Sequence, residues 1–179
     1  ANIVWDRCGD SVEKEEIKQI LETKFDYYIR LDPERKVEFL KRVYRFMSQK
    51  RFIPMQMPEV TVEMKTLISA SAIQITFGLA KYYFPRFRNI CVYPRAYYSE
   101  RTKSENRGDI DPRQYNVSLS YEDFIQGYTI KDDAYNVGLH EMAHVLSLEM
   151  EIKDEYDEFF SDYFFKYERE ARNEFIRMQ

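Results

Sequence analysis

Cysteine, glycine, proline and histidine are all scarce in this chain of 179 residues, and each scarcity excludes something. Two cysteines, Cys8 and Cys91, cannot build a disulfide framework, which makes a reducing compartment the default. Five glycines and six prolines favour long helices joined by few turns. There is no glycine-rich phosphate loop, no internal repeat and no low-complexity tract. Every apolar stretch is broken by charge within a few residues, so no membrane segment is expected. No basic stretch followed by an apolar one opens the chain, and cytoplasm is the expected location. An excess of positive charge is also missing. The 27 Lys and Arg are outnumbered by 31 Asp and Glu, for a net charge of −4, which argues against a nucleic-acid partner.

What is present is a core. Hydrophobic residues make up 44% and aromatics 16%, so the chain can bury enough surface to fold, and its length suits one domain. Residues 1–150 carry 22 basic and 22 acidic groups, whereas 151–179 carry 5 and 9, so the net charge lies entirely in the last segment. The expected organisation is a helical part over 11–80, a sheet and a further helix over 87–150, and a charged C-terminal helix over 151–179.

The spacing predicts a helix over 11–29 and a second from Asp32-Pro33, where Asp caps and Pro fits the first turn. Val37, Leu40, Tyr44 and Met47 are its expected buried stripe. Residues 61–80 read as a central buried helix, with Met64, Leu67, Ile68, Ala72, Ile75 and Leu79 on one face. Arg88–Tyr93 reads as a strand and 99–114 as a charged loop, with Gly108-Asp109 and Asp111-Pro112 as turn signals. Tyr115, Val117, Leu119 and Tyr121 alternate with polar residues, the mark of a strand with one buried face. Asp132 or Asp133 is the expected cap of a helix running to about Met150, and another helix is expected from Glu155. The fold class is α+β, mainly helical with a small mixed sheet.

The one motif that carries chemistry is His140-Glu141-Met142-Ala143-His144, an H-E-x-x-H. Helical spacing sets the two imidazoles one turn apart on one face, where they can bind a single zinc ion. Glu141 lies beside them, within reach of a zinc-bound water as general base. The chain holds only two His. Random placement puts them four apart with Glu in second position roughly once in 900 cases. Both His are used in this motif, so no Ser-His-Asp arrangement is available. Cys91 is expected to be an inert buried thiol.

Five segments surround the motif: Tyr27–Phe52, Glu59–Leu79, Asn89–Ser99, Val117–Gly127 and Tyr135–Leu148. Together they resemble the Mlc titration factor A family of zinc peptidases, which is similar in its catalytic core to anthrax lethal factor. The resemblance implies a gluzincin-like fold with an H-E-x-x-H active-site helix and aminopeptidase-type activity on short peptides. It makes His140 and His144 zinc ligands and Glu141 the general base. It also implies an edge strand that pairs with extended substrate, for which 115–121 is the candidate. A regulatory alternative comes from the same source: a protein with impaired catalysis that binds a protein partner such as a transcriptional repressor.

In the family the third zinc ligand is a Glu in an E-F-F-A-type segment, preceded by a Tyr. Here Glu158-Phe159-Phe160-Ser161-Asp162 is similar, but Glu158 follows His144 by only 14 residues, and Glu151 stands at the expected Tyr position. Two readings stay open. Either 155–179 is the helix before the ligand segment and that segment is missing, or a shortened hairpin brings Glu158 or Asp162 to the metal. Tyr121, Tyr128, Tyr156 and Tyr163 are candidate oxyanion-stabilising hydroxyls, indistinguishable here from packing residues.

Overall fold

A computed structural model describes residues 8–79, 83–129 and 136–151. Helix α1 (Cys8–Lys24) and the short α2 (Asp26–Ile29) share the span expected as one helix. The break is at Phe25, whose extended backbone (φ −124°, ψ 90°) carries the ring into the core. There it meets Phe39 at 6.1 Å and Tyr128 at 5.1 Å between ring centroids. Helix α3 (Pro33–Gln49) starts as expected, with Arg35 N–H donating to Asp32 Oδ1 at 2.8 Å. Its buried face differs from the expected stripe. Phe39, Val43, Phe46 and Met47 point inward while Val37 is 70% exposed. The two phenylalanines bury more apolar area than Val37 could, and they set the rotation of the helix.

From α3 the chain enters strand β1 (Arg51–Pro54), which the sequence reading did not anticipate. Helix α4 (Val62–Thr76) follows, capped by Thr61 Oγ1, which accepts from Met64 N–H. It is the central helix, buried without interruption from Thr66 to Ile73. Its small residues, Ser69, Ala70, Ser71 and Ala72, allow close packing by α1, α3 and α6 (Val137–Glu151). Ser71 and Thr76 hydroxyls donate to the helix carbonyls of Ile68 and Ala72, so these buried groups are satisfied internally.

Strands β2 (Asn89–Tyr93), β5 (Gly108–Asp111) and β6 (Asn116–Ser120) join β1 in a four-stranded sheet of order β1-β2-β6-β5. The first three strands of that order are parallel, and β5 is antiparallel. Ile90, Val92, Val117 and Leu119 face the helices and are buried. The period-two reading of 115–121 therefore holds over 116–120, while Tyr121 opens helix α5 (Tyr121–Thr129). A hairpin of β3 (Tyr97–Ser99) and β4 (Ser104–Asn106) fills part of the expected loop. The fold is thus mixed α and β with a small mixed sheet. No helix among the described residues is long and apolar enough to cross a membrane.

Two ties fix α6 in place. Glu149 Oε1 accepts from the backbone N–H groups of Arg86 (2.7 Å) and Phe87 (3.3 Å). The same segment is held from the other side by Lys50, whose ammonium donates to the carbonyls of Tyr83, Phe84 and Phe87 at 2.6–2.9 Å. At the other end, Gly138 meets the buried ring of Phe124 in α5. A Cβ at 138 would come within 2.6 Å of Phe124 Cδ2. Gly138→Ala is expected to lower stability by about 1–3 kcal/mol through overpacking, measured by urea unfolding. An unchanged midpoint would refute this contact.

Candidate metal centre

Helix α6 begins where its cap allows. Asn136 Oδ1 accepts from Leu139 N–H at 2.9 Å, and Asn136 Nδ2 donates to Gly127 O at 3.0 Å. The cap is therefore Asn136. Asp132 and Asp133, the expected caps, lie outside the described residues. One residue supplies both the capping oxygen and the link to α5, so the start of α6 is fixed to the end of the preceding helix.

One turn further on, His140 and His144 project from the exposed face while Glu141 turns inward. The two Nε2 atoms face one another at 3.0 Å, with ring planes at 85°. Two zinc–nitrogen bonds of about 2.0–2.1 Å in tetrahedral geometry set their nitrogens about 3.3 Å apart. The observed span is within a few tenths of an ångström of that, so the pair suits one ion held from one side. Although its ring lies on the exposed face, partial withdrawal from water, and then the neighbouring His144 ring, hold His140 below the usual histidine range. That favours the neutral imidazole a metal requires.

Glu141 is 6% exposed and its carboxyl is pushed up to about 7, first by burial and then by the nearby Asp109 charge. The wall against it is Gly108 of β5. A Cβ at 108 would lie 2.6 Å from Glu141 Cγ and 2.7 Å from Cδ. The backbone of Gly108 has no positive φ, so glycine is required here for close approach rather than for conformation.

Among the described residues, strand β5 is the outermost strand of the sheet at this end. The expected edge, 115–121, is instead interior: β6 is bonded to β2 on one side and β5 on the other. Ser120 N–H donates to Arg107 O at 2.7 Å, and the register continues Asp109↔Ser118 and Asp111↔Asn116. In an antiparallel ladder such hydrogen-bonded pairs alternate with non-bonded ones. Gly108 and Ile110 occupy the non-bonded positions, so their N–H and C=O groups point outward along the edge. The expected turn signal Gly108-Asp109 is thus the start of a strand. The alternation Asp109-Ile110-Asp111 was the available clue, masked by the surrounding charges.

The candidate tyrosines divide by location. Tyr128 Oη donates to Gln74 Oε1 at 3.2 Å in the core, and Tyr121 lies beside Glu63. The tyrosine whose hydroxyl feels both Glu141 and Asp109 is Tyr97, buried and stacked on Tyr93 at 3.7 Å. Cys91 is a free, buried thiol, raised by burial, as expected. Glu158, Asp162, Tyr156 and Tyr163 lie outside the described residues. Among the described residues no group of three His, Cys, Asp or Glu side chains could hold a metal.

Comparison with known proteins gives two findings. Residues 6–162 match the family described as glucose-regulated metallo-peptidase M90. The chain is also similar to an uncharacterized protein of Synechocystis sp., 26% identical over 140 residues, covering 72% of this chain and 51% of that protein. The chain therefore spans about half the length of that relative.

Proposed function

Because the chain belongs to the glucose-regulated metallo-peptidase M90 family, we propose that it is a zinc-dependent metallopeptidase of gluzincin type, with aminopeptidase-like action on peptides. This is the family that the five sequence segments resemble. The observation that carries the reading is the facing pair of Nε2 atoms at 3.0 Å, with a buried carboxyl on the adjacent residue. His140 and His144 would hold the zinc, and Glu158 or Asp162 would be the third ligand. Bound there, zinc supplies Lewis-acid chemistry, acidifying a water and polarising a carbonyl.

The chain's own residues account for the rest of the reaction. Glu141 accepts the proton of the attacking water on its carboxylate and returns it to the leaving amine. The outward N–H and C=O groups of Gly108 and Ile110 pair with an extended peptide, which is recognition by strand addition. We read the whole chain as one such domain.

Zinc per chain, by elemental analysis of protein purified without added metal, tests this reading. About one zinc is expected, the requirement of a single three-ligand catalytic site. His140→Ala and His144→Ala should each abolish retention, and of Glu158→Ala and Asp162→Ala only the true third ligand should. A ratio near zero would sink the peptidase reading for this chain. It would favour the regulatory one, in which the fold binds a protein partner, such as a transcriptional repressor, without turnover.

A further inference from the structure

Among the described residues, strand β5 is paired along one edge, by β6. Yet the site needs its position fixed twice over. Gly108 must stay against Glu141, and the groups of Gly108 and Ile110 must meet a peptide in register. A second restraint comes from outside the sheet. Arg101 Nε donates to Asp109 Oδ2 at 3.2 Å, and Arg101 Nη2 donates to Asp109 Oδ1. This two-pronged bond grips the residue between Gly108 and Ile110.

Arg101 is itself held. It sits in the turn joining β3 and β4, closed by Lys103 N–H donating to Ser99 O at 2.7 Å and Thr102 N–H donating to Ser99 Oγ at 3.4 Å. Asp109 is 16% exposed and Arg101 47%, so the carboxylate is mostly withdrawn from water while the guanidinium reaches it from the surface. Planar fork-to-carboxylate bonding fixes orientation as well as distance, which an ammonium cannot do. The Asp109 charge in turn bears on Tyr93, Tyr97 and Glu141.

We propose that Arg101 is a positioning residue, which sets strand β5 through Asp109 so that an extended peptide pairs in register with Gly108 and Ile110. The inference rests on the peptidase reading of the site. It predicts that Arg101 matters for substrates long enough to lie along β5 and not for short ones.

The test compares Arg101→Gln and Arg101→Lys with the parent on hexa-alanine and on alanine p-nitroanilide. Arg101→Gln is expected to raise KM for the hexapeptide about ten-fold, with kcat within about two-fold and the anilide unaffected. Arg101→Lys should fall between. Arg101→Gln leaves the mostly buried Asp109 carboxylate without its cation, so some lowering of the thermal midpoint is expected, and the split between long and short substrates carries the test. Equal losses on both substrates would make Arg101 merely structural and overturn the proposal, as would an unchanged KM. A second arm does not depend on turnover. In a Glu141→Gln background, fluorescence anisotropy of labelled hexa-alanine should show about ten-fold weaker binding when Arg101→Gln is added. Binding that behaves this way, when the parent with Glu141 intact cleaves neither substrate, would refute the peptidase reading and leave the strand-positioning inference standing. Absence of any peptide binding would overturn the inference itself.

Discussion

Glu141→Gln is expected to abolish peptide hydrolysis and, in the same protein freed of metal, to raise stability above pH 7. Both effects follow from one buried carboxyl. Amide and carboxyl have the same shape, so the contact with Gly108 and the placement of the two imidazoles are kept. The proton acceptor is lost, and turnover should fall about 10²- to 10⁴-fold while the zinc content is unchanged. The stability effect follows from the pKa. An ordinary glutamate titrates near 4.5, but burial and Asp109 push Glu141 to about 7. Between those values the folded chain binds more protons than the unfolded one, so stability falls as pH rises through the window. The deficit is complete above about pH 7 and should amount to roughly 1–3 kcal/mol once solvent relaxation is allowed for. Glutamine carries no such deficit. Urea unfolding of the metal-free parent and variant should give no difference near pH 4.5 and a full difference by pH 8. A variant that cleaves as well as the parent would remove Glu141 from the mechanism. A stability difference that does not vary with pH would mean that the carboxyl is not held in its strained protonation state by the fold.

The sequence made some of this site legible and hid the rest for physical reasons. His140, Glu141 and His144 were visible because helical spacing is local: residues four apart share a face wherever the helix lies. The central helix over Val62–Thr76 was visible because it is apolar on nearly every side, a pattern that only burial explains. The β6 alternation was visible for the same local reason, but its neighbours were not. Strand order depends on contacts between distant segments, so β6 passed for an edge when it lies between β2 and β5. The charges in 101–113 looked like a solvated loop because their partners are remote. Arg101 pairs with Asp109 across a hairpin, and Arg107 with Asp123 in α5 at 3.3 Å. Once paired, such charges are compatible with strands. Val37 was misread because a stripe of moderate apolar residues can be rotated by two phenylalanines beside it.

The wall of the Glu141 pocket was hidden because glycine declares close approach only when its neighbour is known. Gly108→Ala tests that wall directly. The new Cβ would sit 2.6 Å from Glu141 Cγ, which is not the free end of the side chain and cannot swing aside without turning the whole carboxyl. The alternatives are displacement of Glu141 toward the imidazoles or displacement of the β5 edge outward. Either one moves a proton acceptor or a peptide-binding strand by a substantial part of an ångström, an error that costs about 100-fold in rate when reacting groups must be aligned. The expected result is a loss of kcat/KM of that order, with stability reduced by only about 1–3 kcal/mol, the usual cost of overpacking. Zinc retention should persist, since His140 and His144 lie on the exposed face of α6, away from the substituted wall. The pattern distinguishes this position from Gly138, where the added methyl meets a core ring rather than Glu141 and the loss should appear chiefly in stability. Full activity in a folded Gly108→Ala protein would show that β5 and the Glu141 carboxyl are not held against each other in solution. The edge-strand reading of substrate binding would lose its support with it.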